Sequence, residues 1–197
     1  VACDLVLMGA GWTPTLHLYA QARGALAWDE ALGAFRPREH APHLLCVGGA
    51  NGTLSLAGAL DEGAAAGGLA RVHAVEGDWP FASAWSEPVV EGAAFVDFQN
   101  DVKARDFDIA GREGFASIEH VKRFTTSGLG TDQGKTGAIN ATRIVAQRSD
   151  RTPQAVGLTT MRAPFTPVSF GALAHMGRGE TYAPARETPS HASAAAL

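Results

Sequence analysis

The chain has 197 residues, of which 46% are hydrophobic and only 18% charged, and its formal net charge is −4. Because it contains no basic run, its composition argues against binding to nucleic acid or anionic lipid. Its two cysteines are too few for a disulfide framework or a zinc site. No apolar run reaches the ~20 residues that span a bilayer. We therefore expect a cytoplasmic protein of one domain or two small ones.

The first part of the chain alternates strand-like and helix-like stretches. Residues 4–9 (DLVLMG) are apolar and predict a buried strand, and residues 15–22 predict a short helix. Residues 26–35 alternate weakly between apolar and polar side chains, which predicts a small hairpin. Residues 43–47 (HLLCV) predict a second buried strand. This alternation of strands and helices predicts an α/β fold. We also expect the chain to begin inside a domain.

A glycine-rich stretch, residues 48–60 (GGANGTLSLAGAL), follows the second predicted strand and opens a helix expected over 53–71. A strand, a glycine turn and a helix of small residues present bare backbone N–H groups, which suits a phosphate or the edge of a cofactor. The same pattern also occurs where a strand and a helix only pack closely. Both interpretations stay open at this point.

The chain changes character after residue 72. Prolines and aromatic residues over 73–94 predict a linker that lies on another surface. Beyond it, Asp101 is predicted to cap a helix that runs to residue 113 and is terminated by Gly114. Two further helices are expected, one starting at Ser117 and one over 137–148. The predicted buried side of the helix at Ser117 consists of Ile118, Val121 and Phe124.

The last part of the chain is rich in proline, threonine and small residues. Residues 151–197 predict an extended connector, and its end, 188–197 (TPSHASAAAL), predicts a disordered tail. Elsewhere, His120 and the pairs Asp97/Asp101 and Asp106/Asp108 are better explained by helix capping and exposure than by acid–base catalysis.

The first part of the chain resembles a known class of flavoproteins. A strand ending in G-x-G-W-x-P, a hairpin, a strand ending in G-G-A and a small-residue helix are similar to the last third of pyridine nucleotide-disulfide oxidoreductases. This resemblance implies that residues 1–72 are the C-terminal part of a Rossmann-like dinucleotide-binding domain. The fold class it implies is an α/β fragment joined to a small, mostly helical domain over 95–150.

That helical region resembles the small domain that binds a [2Fe–2S] cluster in bacterioferritin-associated ferredoxins and several amine-oxidising flavoproteins. The resemblance rests on residues 95–137, FVDFQNDVKARDFDIAGREGFASIEHVKRFTTSGLGTDQGKTG. Its four ligand positions fall on Asp97, Gln99, Asp132 and Gly137. Since none of them is cysteine, the resemblance implies that the scaffold is kept without a cluster or any other metal.

The cysteine-free variant resembles the alpha subunit of heterotetrameric sarcosine oxidases, over nearly the whole chain. The motifs are FVDFQNDV, REGF, EHVKRFTT, TDQGKT and GLTTMRAPFTPVSFG. The resemblance implies oxidative demethylation of sarcosine to glycine, with the methylene group passed to tetrahydrofolate and hydrogen peroxide formed. It further implies NAD on the alpha subunit, FMN and FAD on the beta subunit, and beta, gamma and delta subunits as partners.

The resemblance also implies binding residues. The positions that match NAD contacts are Gly49, Leu54 and Leu56. Contacts with FMN at the subunit interface are implied for Thr131, Gln133, Lys135 and Thr136. The alternative for Lys135 is that it is solvated and that its loop only packs against its own helices. We expect no catalytic residue in this chain and no activity from the chain alone. The competing hypothesis is a non-catalytic scaffold module of a related amine or opine dehydrogenase complex.

Overall fold

Glycines and prolines divide this chain into short elements. The computed structural model describes residues 11–39, 41, 43–70, 93–174 and 187–196, which form a mixed fold of helices and two antiparallel two-stranded sheets. The helices described are α1 (His17–Gln21), α2 (Leu56–Ala66), α3 (Ala104–Arg112), α4 (Ile118–Thr125), α5 (Ala138–Arg148), α6 (Pro153–Val156), α7 (Phe170–Ala174) and α8 (His191–Ala195). The strands described are β1 (Leu26–Asp29), β2 (Ala34–Pro37), β3 (Phe95–Asp97) and β4 (Val102–Lys103).

The predicted hairpin is confirmed as the β1–β2 pair. Its register places Leu26 opposite Pro37 and Asp29 opposite Ala34. Asp29 closes the turn by accepting a hydrogen bond of 2.9 Å from the backbone N–H of Leu32. That bond is the main reason why the pKa of the Asp29 carboxyl lies below its ordinary value.

The predicted strand over 43–47 is wrong. The structure has only an isolated bridge between Ala41 and Leu44, and Leu45 is 47% exposed. An apolar run becomes a strand only where a neighbouring strand pairs with its backbone groups, and the described residues supply no such neighbour here. The predicted strand over 4–9 lies outside the described residues, so a Rossmann-like sheet stays a prediction.

Helices α1 and α2 confirm the two helices expected in this part of the chain. The second is shorter than predicted, because it begins only after Ser55 and ends at Ala66, before Gly67 and Gly68. Gly68 has a φ of +67°, which is a left-handed conformation, so the helix cannot continue through this residue. The small residues of α2 allow close packing but leave much of the helix exposed.

Helix α3 begins differently from the prediction. Asp101 does not cap it, because Asp101 lies in the turn before β4 with a φ of 53°. Instead, Asp106 in the first turn of α3 accepts a hydrogen bond of 2.8 Å from the backbone N–H of Lys103. Gly114, with a φ of +87°, follows the helix as predicted.

The main hydrophobic core lies among α3, α4, α5 and the β3–β4 pair. The predicted helix at Ser117 is confirmed as α4, with Ile118 and Val121 buried. Phe124, expected on the same side, is 44% exposed and packs against Phe115 with ring centroids 4.8 Å apart. The buried core residues are Val96, Val102, Ala104, Phe107, Ala110, Ile118, Val121, Ala141, Ile144, Val145, Ala146 and Val156.

The hairpin packs against the end of this helical core. The side chain of Gln154 pairs with the edge of β1, accepting from the backbone N–H of Trp28 at 2.6 Å and donating to the carbonyl of Leu26 at 3.4 Å. The guanidinium of Arg143 donates to the carbonyl of Gly33 at 3.0 Å and lies 5.0 Å from the Trp28 ring. These contacts join the two regions that the sequence separates into different domains.

The chain divides into two units, one ending at Phe165 and the other beginning at Thr166. The second unit contains α7 and α8, so the expected tail includes a short helix where the sequence predicts disorder. Most of the predicted linker over 73–94 lies outside the described residues. In the part of the chain that the structure describes, no helix is long and apolar enough to cross a membrane.

Candidate cofactor-binding loops

The glycine turn, residues 48–53, leads from an extended segment into α2. Gly48–Asn51 form a 3-10 helix, and Gly48 and Gly52 have φ angles of +59° and +90°. Residues with a Cβ adopt these conformations less readily, so both positions favour glycine. Ser55 then caps α2 by accepting a hydrogen bond from the first helical turn.

The carboxylate of Glu62, on α2, reaches back into this glycine turn. It accepts a hydrogen bond of 2.6 Å from the backbone N–H of Gly48 and another from the hydroxyl of Thr53. The amide nitrogen of Asn51 lies 3.4 Å and 3.5 Å from its two oxygens. Burial acts to raise the pKa of Glu62, but these donors outweigh it and hold the pKa below its ordinary value.

The three residues that match NAD contacts lie on the outer side of this turn and at the start of α2. Gly49 is exposed, and no described residue places an atom within 4 Å of a Cβ built on it. The side chains of Leu54 and Leu56 are also exposed, Leu56 at 63%. A bare backbone position and two partly exposed apolar side chains, Leu54 at 38%, therefore share this part of the surface.

The second loop system surrounds Asp97, at the first of the four ligand positions. Asp97 is 6% exposed and accepts hydrogen bonds from the backbone N–H groups of Gly128 at 2.6 Å, Gln99 at 2.8 Å and Asn100 at 3.1 Å. Burial alone would raise the pKa of Asp97, but these bonds outweigh it and lower the pKa. A buried anion therefore ties β3 to the loop after α4.

The other three ligand positions are also used inside the helical region. The Gln99 side-chain oxygen accepts from the backbone N–H of Asp132 at 3.3 Å, and its nitrogen lies 3.4 Å from the Thr131 hydroxyl. The Asp132 carboxylate accepts an amide hydrogen bond of 3.0 Å two residues ahead. At Gly137, an added Cβ would collide with the backbone carbonyl oxygen of Val96.

These four positions do not fit a [2Fe–2S] cluster. They carry no thiolate, three of their side chains bond to the surrounding loop, and the fourth has no room for a Cβ. Among the described residues, no group of three or more His, Cys, Asp or Glu side chains is placed to hold a metal ion. The absence of a cluster in the purified protein stays a prediction.

The TDQGKT loop, residues 131–136, contacts the connector that follows α6. The ammonium of Lys135 donates to the carbonyl of Phe165 at 2.6 Å and lies 4.3 Å from the centre of the Phe165 ring. The Gln133 side chain bonds to both the backbone N–H and the carbonyl of Arg162, each at 3.0 Å. The loop therefore holds the connector, and not only its own helices.

The residues that match the FMN interface differ in their surroundings. Thr131, Lys135 and Thr136 are exposed, so they fit a loop that meets a phosphate at a subunit surface. Gln133 is half-buried, and both ends of its amide are taken by the connector. The structure thus brings three of the four residues to the surface of one loop.

Sequence reasoning did not single out Glu62, or His17 and Glu119, which also contact the connector. Phe165 stacks on His17 with ring centroids 4.9 Å apart, and Glu119 accepts from the backbone N–H of Thr160 at 2.5 Å. Only Glu62 has a local sequence signal, because Asp61 and Glu62 form an acidic pair in a helix of small residues. The partners of the other residues are far away along the chain.

Comparison with known proteins identifies relatives for both loop systems. Residues 91–176 match the family described as the sarcosine oxidase A3 domain. The chain is 38% identical over 205 residues to the sarcosine oxidase subunit alpha of Rhizobium meliloti (strain 1021), covering 97% of this chain and 21% of that protein. It is 35% identical over 208 residues to the sarcosine oxidase subunit alpha of Corynebacterium sp. (strain P-1), covering 95% and 22%.

A solved structure shares the fold. The crystal structure of L-proline dehydrogenase from P. horikoshii superposes with a TM-score of 0.58 at 20% sequence identity, covering 83% of this chain and 38% of that chain. The chain spans about a fifth of the length of the curated relatives it matches. Over nearly its whole length, it is therefore homologous to a segment of the sarcosine oxidase alpha subunits, and its residues 91–176 match the A3 domain family.

Proposed function

We propose that this chain is part of the alpha subunit of a heterotetrameric sarcosine oxidase, where it contributes to NAD binding and to the interface that holds FMN. The observation that carries this proposal is the 35–38% identity to sarcosine oxidase alpha subunits over at least 95% of the chain. The proposed reaction is the oxidative demethylation of sarcosine to glycine. Tetrahydrofolate receives the methylene group, and oxygen receives the two electrons as hydrogen peroxide.

The glycine turn is the proposed NAD contact. NAD, when bound, supplies a nicotinamide ring that accepts or releases a hydride. On this chain, the backbone at Gly49 offers an open approach, and Leu54 and Leu56 offer apolar contact. No charged side chain is needed at these three positions, which agrees with a role in shape recognition and not in proton transfer.

The TDQGKT loop is the proposed FMN contact. FMN, when bound, supplies an isoalloxazine ring that takes up two electrons from the amine. The Lys135 ammonium now bonds to a neutral carbonyl, that of Phe165. A phosphate dianion is a stronger acceptor than a neutral carbonyl. Lys135 can therefore exchange this partner for a phosphate, with the hydroxyls of Thr131 and Thr136 as further donors.

The partners proposed are the beta, gamma and delta subunits, because the relatives are themselves subunits of an oxidase. The described residues contain no pair of side chains placed as base and nucleophile around an amine. We therefore expect the isolated chain to be inactive. Flavin reduction by sarcosine in the pure 197-residue chain reconstituted with FMN would contradict this expectation.

A substitution of Lys135 tests the FMN interface. In the assembled enzyme, Lys135→Ala removes a charge-assisted contact worth roughly 1.5–3 kcal/mol, so FMN affinity should fall about ten- to hundredfold. Lys135→Arg keeps the charge with a different shape and should cause a partial loss. The measurement is flavin content and FMN affinity of the reassembled heterotetramer, with NAD affinity as an internal reference that stays unchanged.

A matched control is Arg105→Ala, which removes an exposed cation from the first turn of α3. It should leave FMN affinity as in the wild type. If Lys135→Ala also leaves FMN affinity unchanged, the loop serves only to hold the connector, and the FMN assignment must be withdrawn.

The second candidate function is a non-catalytic scaffold module of a related amine or opine dehydrogenase complex. The observation that favours it is that an L-proline dehydrogenase shares this fold. Substrate choice in the assembled enzyme separates the two candidates. Flavin reduction by sarcosine supports the oxidase, whereas reduction by proline or an opine, with none by sarcosine, supports the dehydrogenase.

A further inference from the structure

Six residues of the connector, 160–165 (TMRAPF), lie against the TDQGKT loop and are called the strap here. The side-chain amide of Gln133 accepts from the backbone N–H of Arg162 and donates to its carbonyl, each at 3.0 Å, and its nitrogen lies 3.2 Å from the carbonyl of Pro164. A primary amide carries the same acceptor and donor as a peptide group. Gln133 therefore pairs with the strap as a neighbouring strand would, by its backbone and not by its side chains.

Both ends of the strap are also fastened through backbone groups. At one end, Glu119 accepts from the backbone N–H of Thr160 at 2.5 Å. Burial acts to raise the pKa of Glu119, but the hydrogen bonds with Thr160 outweigh it and lower the pKa. At the other end, Phe165 stacks on His17 at 4.9 Å and accepts from the ammonium of Lys135 at 2.6 Å. The strap is thus held along its whole length.

The strap uses polar groups that the TDQGKT loop would otherwise offer to a ligand. Both ends of the Gln133 amide are engaged, and the Lys135 ammonium is directed to the carbonyl and the ring of Phe165. An anion that binds to Lys135 therefore draws on the ammonium that fastens the end of the strap. When two partners draw on one group in this way, each weakens the binding of the other by the same factor.

We infer that the TDQGKT loop is a recognition site for an extended peptide backbone, that its occupant is the strap of this same chain, and that the strap competes with an anion for Lys135. The competition rests on the proposed FMN contact. Gln133, which the family resemblance places among the FMN contacts, is then a residue that holds the strap and does not touch FMN. Release of the strap makes Lys135 available.

Trypsin digestion of the 197-residue chain measures how firmly the strap is held. Arg162 is exposed, and the bond that trypsin cleaves after it contains the carbonyl that Gln133 holds. Gln133→Ala removes the hydrogen bonds to the middle of the strap, so cleavage after Arg162 should become about tenfold faster. An unchanged rate would show that Gln133 does not hold the strap and would overturn the inference.

Two controls separate release of the strap from general unfolding. Gln147→Ala removes an exposed glutamine side chain from α5 and should leave the rate of cleavage after Arg162 as in the wild type. Cleavage after Lys122, in α4, is the internal reference and should be equally slow in the wild type and in Gln133→Ala. Equal acceleration at Lys122 and Arg162 would mean that Gln133 stabilises the whole region, and the strap assignment would fail.

The FMN affinity of the assembled enzyme gives opposite signs for the two roles of Gln133. If Gln133 only holds the strap, Gln133→Ala frees Lys135 and should tighten FMN binding about fivefold, at the low end of the usual coupling between two sites. If Gln133 touches FMN, the same substitution should weaken FMN binding. Weaker or unchanged binding in Gln133→Ala contradicts the inference, and Gln147→Ala should again match the wild type.

Failure of the proposed FMN contact gives a different result. If Lys135→Ala leaves FMN affinity unchanged, the FMN contact and its competition with the strap fail together. If Lys135→Ala weakens FMN binding but Gln133→Ala does not tighten it, the FMN contact stands and only the inference about the strap is wrong.

Discussion

Two carboxylates, Glu62 and Asp97, close two glycine-rich loops in this molecule by the same means. Each accepts a hydrogen bond of 2.6 Å from a glycine backbone N–H, Glu62 from Gly48 and Asp97 from Gly128. Each then takes further donors from its own loop, so that burial is offset and the pKa of the carboxyl is lowered. The difference lies in what surrounds the finished loop.

Around Asp97 the loop is filled. Gln99 lies against Gly130 so closely that an added Cβ would collide with it, and Gly137 lies against the Val96 carbonyl. Around Glu62 the opposite face of the turn stays open at Gly49. The same hydrogen-bonding arrangement therefore supports a packed loop in one region and an exposed turn in the other.

Removal of the Asp97 carboxylate should have the largest effect on stability. Asp97→Ala leaves the buried backbone N–H of Gly128 without its acceptor, together with the partly buried N–H groups of Gln99 and Asn100. We expect a loss of about 3 kcal/mol in the free energy of unfolding, and a fall in Tm of about 6–12 °C. Thermal and urea unfolding of the chain measure it, and Glu113→Ala should change stability by less than about 0.5 kcal/mol. A loss below 1 kcal/mol would mean that water replaces the carboxylate and that this loop is more open than the structure shows.

Gly137→Ala should have the next largest effect, because the new Cβ meets rigid backbone at Val96. We expect about 1–3 kcal/mol of destabilisation from overpacking. The control is Gly111→Ala in α3, where no described residue lies within 4 Å of the added Cβ. Since alanine favours a helix, Gly111→Ala should stabilise the chain by up to about 1 kcal/mol. Equal effects of the two substitutions would mean that the loop at Gly137 is less tightly filled than its approach to Val96 indicates.

The sequence predicts the helical region better than the first part of the chain. Helices α4 and α5 combine apolar periodicity with local start and stop signals, so their placement needs no distant partner. The run HLLCV lacks a paired neighbour among the described residues, and pairing is decided by parts of the chain far away in sequence. The position of a turn can thus be predicted from the local sequence, but the residues that accept its hydrogen bonds cannot.

The candidate site shows the same limit. Motifs identify Gly49 and the TDQGKT loop, but a motif gives positions and not contacts. The motif marks Asp97 only as a ligand position without cysteine, whereas the structure makes it the acceptor of three backbone N–H groups. Likewise, the link between Lys135 and Phe165 spans 30 residues, and no short-range pattern encodes it.

Glu62→Ala should destabilise the chain less than Asp97→Ala, because Glu62 and its partners Asn51 and Thr53 are only partly buried, so water can replace much of the carboxylate. We expect about 1 kcal/mol. The double variant Glu62→Ala/Asp97→Ala should lose the sum of the two single effects within about 0.5 kcal/mol, because the two networks share no residue. A larger deviation, measured by urea unfolding, would show that the two loops are energetically coupled.

The pH dependence of stability should give the smallest effect and should distinguish the two carboxylates by where it begins. Both folded-state pKa values lie below their ordinary values, so each unfolded carboxyl binds a proton before its folded counterpart does as the pH falls. The stabilisation is therefore complete above the ordinary pKa, about 4.3 for Glu and about 3.9 for Asp. It is lost as the pH falls from there through the lower folded-state value.

The stability advantage of wild type over Glu62→Gln should begin to shrink at a slightly higher pH than its advantage over Asp97→Asn. Urea unfolding at a series of pH values between about 6 and 3 measures both differences. An advantage over Asp97→Asn that grew on acidification would mean that the folded-state pKa of Asp97 is raised, and the hydrogen bonds assigned to this carboxylate would then have to be those of its protonated form.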